Sequence, residues 1–237
     1  MKYLFLNSYF NAIEKHVADS VDFDRMINSS DWKKAFEVLQ DTDYGKWALE
    51  TKSLEKIFES EKEFFARELE RMGAGQLVDL YSLRADIVNL RIFLKDTLFN
   101  YDAGPLLTWG KSEKELQDYF SLEIEEAKEF ETPAEMDDYI FEVYLGRLEK
   151  FGGKEKEVAR FLSHYKESLE SEKSDLQKIE DDFIAENCKK NEGLAPILAF
   201  FMKKWKAEKI IRTIMTGKEI GLKPVEIKKM IEDIKAL

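Results

Sequence analysis

A three- to four-residue spacing of apolar side chains runs through nearly every segment of this chain. One such stripe, with Glu and Lys between its members, is formed by Leu54, Ile57, Phe58, Phe64, Phe65 and Leu69. This spacing places apolar side chains on one face of an α-helix. The alternation typical of strands is missing, and 4 Pro and 11 Gly in 237 residues are few for a fold with many turns. The sequence therefore predicts an all-α protein.

Gly- and Pro-containing breaks divide the chain into about nine predicted helices. Residues with capping chemistry precede several of the starts. Caps or first-turn prolines are expected at Asp31, Thr132 with Pro133, Asp175 and Pro224. The helix after Asp31 is expected to run from Trp32 to Gln40. The helix after Pro224 is expected to run from Val225 to Lys235.

The apolar beginning of the chain, residues 1–12, is interrupted by Asn7, Ser8 and Asn11. We interpret it as the first packed helix, with a targeting role as the alternative. No run of 18 apolar residues occurs, so a transmembrane helix is not expected.

Residues suited to catalysis are scarce. The chain has one cysteine, Cys188, and two histidines, His16 and His164. These exclude a disulfide framework and a multi-cysteine zinc site, and no phosphate-binding glycine loop is present. We expect no enzymatic activity, no catalytic residue, no cofactor, no metal and no small-molecule ligand.

Charge is distributed unevenly. The net charge is −11, yet residues 189–237 hold 12 Lys and Arg against 6 Asp and Glu, which leaves −17 for the first 188 residues. An acidic chain is a poor candidate for nucleic-acid binding. We predict that Lys203, Lys204 and Lys206, around Trp205, lie on or beside a surface for an acidic partner. The alternative is that these lysines only solvate one helix.

The chain also contains weak internal repeats. Leu54 and Ile57 match Leu176 and Ile179 at an offset of 122, and residues 90–92 match residues 211–213 at 121. A looser copy lies between them. We therefore divide the chain into a first helical repeat (1–103), a degenerate middle repeat (104–174) and a shortened third repeat with basic helices (175–237).

Three groups of residues carry a resemblance to a known family. The first is Leu39, Thr42 and Tyr44; the second is Asp86, Asn89, Leu90 and Arg91; the third is Ile211–Arg212, Thr216–Lys218, Gly221–Leu222 and Pro224–Lys228. Together they resemble, in the right order, the C subunit of V/A-type rotary ATPases, which is called the d subunit in the eukaryotic enzyme. The resemblance is to a shortened member of that family.

The resemblance implies a funnel-like fold of antiparallel helix pairs in a degenerate three-fold repeat. It also implies a non-catalytic rotor adaptor for ion transport. Such an adaptor joins the D and F subunits of the central stalk to the membrane rotor ring, and is cytoplasmic and peripheral to the membrane. The direction of the enzyme and its coupling ion, proton or sodium, are left open.

Asp86, Asn89 and Arg91 lie close together on one predicted helix. We interpret them, with Arg212 at the matching place in the third copy, as a structural polar cluster that fixes the register between helices; a binding site is the alternative. Because Arg212 lacks acidic neighbours in sequence, we expect it to meet a carboxylate elsewhere or solvent.

Two other functions remain open. A free-standing helical scaffold or protein-binding module would keep the fold without the rotary enzyme. A DNA-binding regulator would use the last helix pair, with Lys223, Lys228 and Lys229 on phosphate. Against it, that last helix offers no Arg, Asn or Gln to read a base edge.

Overall fold

The computed structural model describes residues 3–107, 110–170 and 176–235. Every regular element in these ranges is a helix, which confirms the predicted all-α class. The α-helices are α1 Leu4–Glu14, α2 Ser20–Asn28, α3 Trp32–Val38, α4 Gly45–Glu50, α5 Leu54–Arg71, α6 Val78–Phe99, α7 Glu113–Tyr119, α8 Ser121–Ala127, α9 Pro133–Gly152, α10 Lys156–Glu170, α11 Leu176–Asn187, α12 Ala195–Glu219 and α13 Pro224–Lys235. Short 3-10 helices cover Leu39–Asp41 and Gly75–Leu77.

The predicted caps are present where the structure describes them. Asp31 accepts a hydrogen bond from the Lys34 amide at 3.0 Å, and Thr132 forms a reciprocal capping box with Glu135. Pro224 occupies the first position of α13. The predicted cap at Asp175 lies outside the described residues. The beginning of the chain forms α1, which buries Leu6 and Phe10 and so is the packed helix that we expected.

The described parts of residues 1–57 and 154–237 form one compact unit, which we call the terminal unit. Its central helix is α12, which contacts α1, α2, α3, α11 and α13. Aromatic rings fill the contact with α1, where Phe10 stacks on Phe200 at 4.7 Å between centroids. Segments from both ends of the sequence therefore share one core.

The described parts of residues 58–153 form the second compact unit, which we call the central unit. Within it α6 packs against α7 and α9, while α8 contacts α7 and α9. Its buried core comprises Leu90, Leu94, Leu116, Phe120, Ala127, Met136 and Ile140. The long helix α5 begins in the terminal unit and continues into the central one.

The two compact units are defined by contacts in the structure, whereas the three repeats at 1–103, 104–174 and 175–237 were predicted from sequence similarity within the chain. Contacts between helices do not test whether their sequences are related. The three-repeat division therefore stays a prediction.

Candidate functional site

The polar cluster lies in the central unit, where α6 meets the segment that leads into α7. Asp86 and Asn89 are 1% and 0% exposed, although both are polar. Residues three apart share a face of an α-helix, so both side chains reach the same neighbouring segment. Buried polar groups need hydrogen-bond partners, and that segment supplies them.

The Asp86 carboxylate holds Lys111 at two points. One oxygen accepts from the Lys111 backbone amide at 2.8 Å, and the other accepts from Lys111 Nζ at 2.7 Å. Ser82 Oγ donates to the same carboxylate at 3.1 Å. Burial disfavours the charged form of Lys111, but the attraction and hydrogen bond of Asp86 outweigh it, so the pKa of Lys111 is raised.

Asn89 binds the backbone of the same segment. Its Oδ1 accepts from the Leu107 amide at 2.7 Å, while its Nδ2 donates to the carbonyls of Leu107 and Lys111, each at 2.9 Å. A Cβ on Gly110 would lie 2.5 Å from Asn89 Nδ2 and 3.0 Å from the Ala85 carbonyl, so the chain needs glycine to pass this close. We call Asp86, Asn89 and Lys111 the loop clamp.

Arg91 and Arg212 do not join the loop clamp, which corrects the predicted cluster of four. Arg91 is half exposed and binds Asp137 on α9 through two hydrogen bonds of 2.7 and 2.6 Å. Arg212 lies in the terminal unit and binds the Glu55 carboxylate. The expectation that Arg212 meets a carboxylate elsewhere is confirmed.

The predicted partner surface needs a correction at its centre. Lys204 is 0% exposed; its Nζ lies 2.6 Å from Asp43 Oδ2 and 3.7 Å from the centre of the Tyr44 ring. Trp205 is also buried. Because α12 is packed by helices on several sides, a lysine one turn after Phe200 turns into the core instead of into solvent.

Lys203 and Lys206, on either side of Lys204 and Trp205 in the sequence, remain partly accessible. Each has a side chain that is 27% exposed. Lys203 binds Glu14 of α1, and Lys206 binds Asp181 of α11. The basic run therefore meets acidic residues of its own unit. A partner surface at Lys203 and Lys206 stays a prediction.

The buried Lys204–Asp43–Tyr44 arrangement was missed in the sequence because three nearby lysines in an acidic chain resemble a solvated face. One signal was available. Lys204 lies four residues after Phe200 and three before Ala207, so it shares the apolar stripe of α12. A cation in that position needs a buried counter-charge, and Asp43 provides it.

The residues of the C-terminal resemblance shape the turn between α12 and α13. A Cβ on Gly217 would lie 2.8 Å from the Ile227 side chain, and Gly221 adopts a positive φ of 78°. Glu226 accepts a hydrogen bond from the Lys223 amide at 2.7 Å. These contacts hold α13 close against α12. Lys228, one of the lysines of the DNA-binding alternative, pairs with Asp24 at 2.9 Å.

Three further observations concern chemistry. Among the described residues, no group of three or more His, Cys, Asp and Glu is arranged to hold a metal ion. Burial, followed by the charge of Glu14, raises the pKa of Cys188 to about 12, so its thiol stays protonated at neutral pH. In the same ranges, no helix combines the length and apolarity that crossing a bilayer requires.

Comparison with known proteins adds no relative: no protein-family model, no curated protein and no solved structure matches the chain.

Proposed function

We propose that the chain is a non-catalytic central-stalk adaptor of a V/A-type rotary ATPase, with the repeat fold of the family's C subunit. In this proposal it is cytoplasmic and attached to the membrane only through the rotor. It joins the D and F subunits to the rotor ring and has no nucleotide chemistry of its own.

The observation that carries the proposal is that residues behind the family resemblance make specific packing contacts. Asp86 and Asn89 form the loop clamp, and Gly217 and Gly221 set the α12–α13 turn. Tyr44 covers the buried ammonium of Lys204. Motifs that build packing contacts, instead of a reactive centre, suit a mechanical part.

Stiffness is the property that such a part requires, because torque must pass without shearing the helices. The 25 residues of α12 span about 37 Å at the usual rise per residue. This helix is anchored along its length by Lys203 to Glu14, by Lys204 to Asp43 and by Lys218 to the Ser29 carbonyl. Close packing with paired charges resists sliding of one helix on another.

The test is binding to purified central stalk, the D–F complex of a V/A-type ATPase, at low and at physiological salt. We expect saturable binding that weakens as salt rises, since opposite charges are screened. The variant Lys203→Glu/Lys206→Glu should bind more weakly. Lys223→Glu/Lys229→Glu makes the same charge change at two exposed lysines, one directly before α13 and one within it. It is the control and should bind like the parent chain.

Circular dichroism and the unfolding midpoint must first show that both variants fold, because Lys203 and Lys206 also pair within the terminal unit. If the parent chain binds the central stalk neither at low nor at physiological salt, the adaptor role is refuted. Binding by Lys203→Glu/Lys206→Glu as strong as that of the parent chain would retain the role but remove Lys203 and Lys206 from the interface. A titration with Mg-ATP should release no binding heat, and a saturable micromolar signal would contradict the non-enzymatic proposal.

A further inference from the structure

A cleft of about 330 Å³ lies in the terminal unit, between α3 and the segment 48–52 at the end of α4. The Trp32 ring in its lining stacks on Phe36, with 5.1 Å between the centroids and 21° between the ring planes. Leu49, also in the lining, is 73% exposed. The cleft therefore leaves apolar surface in contact with water, and an apolar side chain placed there would be shielded from water as well.

The unpaired charges of the cleft are mainly positive. Within residues 31–52, the acidic side chains that already have a hydrogen bond or an ion pair are Asp31, Glu37, Asp41 and Asp43. Glu50 has neither within the part of the chain that the structure describes, and the same holds for Lys33 and Lys52. All three line the cleft, so its unpaired charges sum to +1. This excess favours an acidic occupant.

The chain itself presents a surface of that chemistry on α8. Leu122 is 75% exposed. Glu125 and Glu126, three and four residues further on and therefore on the same face of the helix, are exposed too. Residues 113–142 hold 12 Asp and Glu against 2 Lys and no Arg, a net charge of 2 − 12 = −10. An apolar side chain on an acidic helix thus matches an apolar cleft with unpaired lysines.

We propose that the cleft receives α8 of a second copy of the chain, with Leu122 against Trp32 and Leu49 and the acidic face of α8 beside Lys33 and Lys52. Because the cleft and α8 are different surfaces, the contact is heterologous, and one copy can give its α8 to one neighbour and receive α8 from another. One leucine and a few charged side chains make a small contact. We therefore expect weak association, with a Kd of about 0.1–1 mM.

The experiment is photo-cross-linking of the full chain with Leu122→benzoylphenylalanine, in which the new side chain reacts with whatever it touches. The protein is mixed with an equal amount labelled with heavy nitrogen, at about 0.5 mM in total, and the cross-linked peptides are identified by mass spectrometry. We expect cross-links from position 122 to the segments 32–40 and 48–52, including cross-links that join a labelled chain to an unlabelled one. The control is Val225→benzoylphenylalanine at a position of α13 that is 77% exposed, and it should give no cross-links to the cleft.

Two further changes, each added to the cross-linking chain, test the charge argument. Lys33→Glu/Lys52→Glu should lower the yield several-fold, because α8 then meets acidic groups. Glu50→Gln should raise the yield, because it removes the unpaired carboxylate of the lining. Lys223→Glu/Lys229→Glu makes the same charge change outside the lining and should leave the yield as it was. All of these side chains are exposed, so the variants should fold, which circular dichroism checks.

Sedimentation equilibrium of the unmodified chain measures the association itself. The average mass should rise above that of one chain as the concentration approaches about 1 mM, and Leu122→Ser should keep it at one chain. A mass of one chain throughout, cross-links from position 122 only within single chains or to other surfaces, or a yield that Lys33→Glu/Lys52→Glu leaves unchanged would each overturn the proposal. None of these variants changes Lys203 or Lys206, so the outcome does not depend on the adaptor role.

Discussion

Lys204 shows how strongly a single residue departs from the usual behaviour of its type. Lysine is almost never fully buried unless it is paired, and Lys204 is paired with Asp43. The Tyr44 ring adds a cation–π contact with the same ammonium. The pair joins α12 to the segment between α3 and α4, two parts of the terminal unit that are distant in sequence.

At this scale we predict the effect of removing the charge. Lys204→Met leaves Asp43 as a buried carboxylate without its ammonium, which should cost about 3–5 kcal/mol of unfolding free energy. Lys203→Met, at the partly exposed neighbour, should cost about 0–1 kcal/mol. Urea unfolding followed by circular dichroism measures both values.

The double variant Lys204→Met/Asp43→Asn should recover part of the loss, because no unpaired charge then remains buried. Equal losses for Lys204→Met and Lys203→Met would contradict the interpretation of Lys204 as a core residue.

At the scale of the element, alanine substitutions at two helical glycines are expected to change stability in opposite directions. Gly217 in α12 lies against Ile227, where a Cβ would approach to 2.8 Å. A Cβ on Gly146 in α9 would meet nothing within 4 Å beyond its chain neighbours and the nearby backbone of its own helix. Gly217→Ala should therefore separate α12 from α13 and cost about 1–3 kcal/mol. Gly146→Ala should stabilise α9 by about 0.5–1 kcal/mol, because alanine is the better helix former.

Thermal unfolding of the two variants tests this pair. A gain in stability from Gly217→Ala would show that α13 is not held against α12 as the structure describes.

The contact between α6 and α9 predicts a dependence on pH. Burial of Asp137 acts to raise its pKa, but hydrogen bonds from Arg91 and Lys95 outweigh burial, so the pKa is lowered. A carboxylate with a lowered pKa in the folded state adds stability above its unfolded-state pKa of about 3.9, and this stability is lost as the pH falls through the folded-state value. Because Asp137 is partly exposed, the contribution is about 1 kcal/mol after screening by solvent.

Asp137→Asn should therefore lower the unfolding free energy at pH 7, and the difference from the parent chain should disappear in strong acid. Asp138→Asn, at the exposed neighbouring carboxylate, is the control and should have little effect at either pH. A difference for Asp137→Asn that is constant from pH 7 to strong acid would mean that the ion pairs are not its cause.

The helices themselves were largely predictable, because period, caps and breaks are local properties. The expected nine became thirteen in the described residues chiefly because α4, α7 and α8 have only 6 or 7 residues each. Two turns hold too few apolar positions to establish a helical period. Asp86 and Asn89 were found because they share a helix face, but their partners, Leu107 and Lys111, follow in an irregular segment where spacing gives no information.

At the scale of the whole molecule, the two compact units predict that a substitution in the core of one unit mainly destabilises the residues of that unit. Phe10→Ala removes a ring stacked on Phe200 in the terminal unit, and Leu90→Ala empties a fully buried position in the central unit. Each substitution should lower the free energy of unfolding by about 2–5 kcal/mol. Amide hydrogen exchange should rise mainly in residues 1–57 and 154–235 for Phe10→Ala, and mainly in residues 58–153 for Leu90→Ala.

Helix α5 belongs to both ranges and is the one element expected to respond to either change. Exchange that rises equally throughout the chain for both variants would show that the units unfold together.

The shared core of the terminal unit also sets an order of events during protein synthesis. Ala195, where α12 begins, follows Val38, where α3 ends, by 157 residues (195 − 38). At a translation rate of about 5–20 residues per second, α1 to α3 wait about 8–31 s before the helix that covers them begins to appear. The central unit is contiguous, so all of its residues are made within that interval. Nascent chains therefore pass through a stage in which the faces of α1 to α3 that pack on α12 do not yet have α12 to cover them.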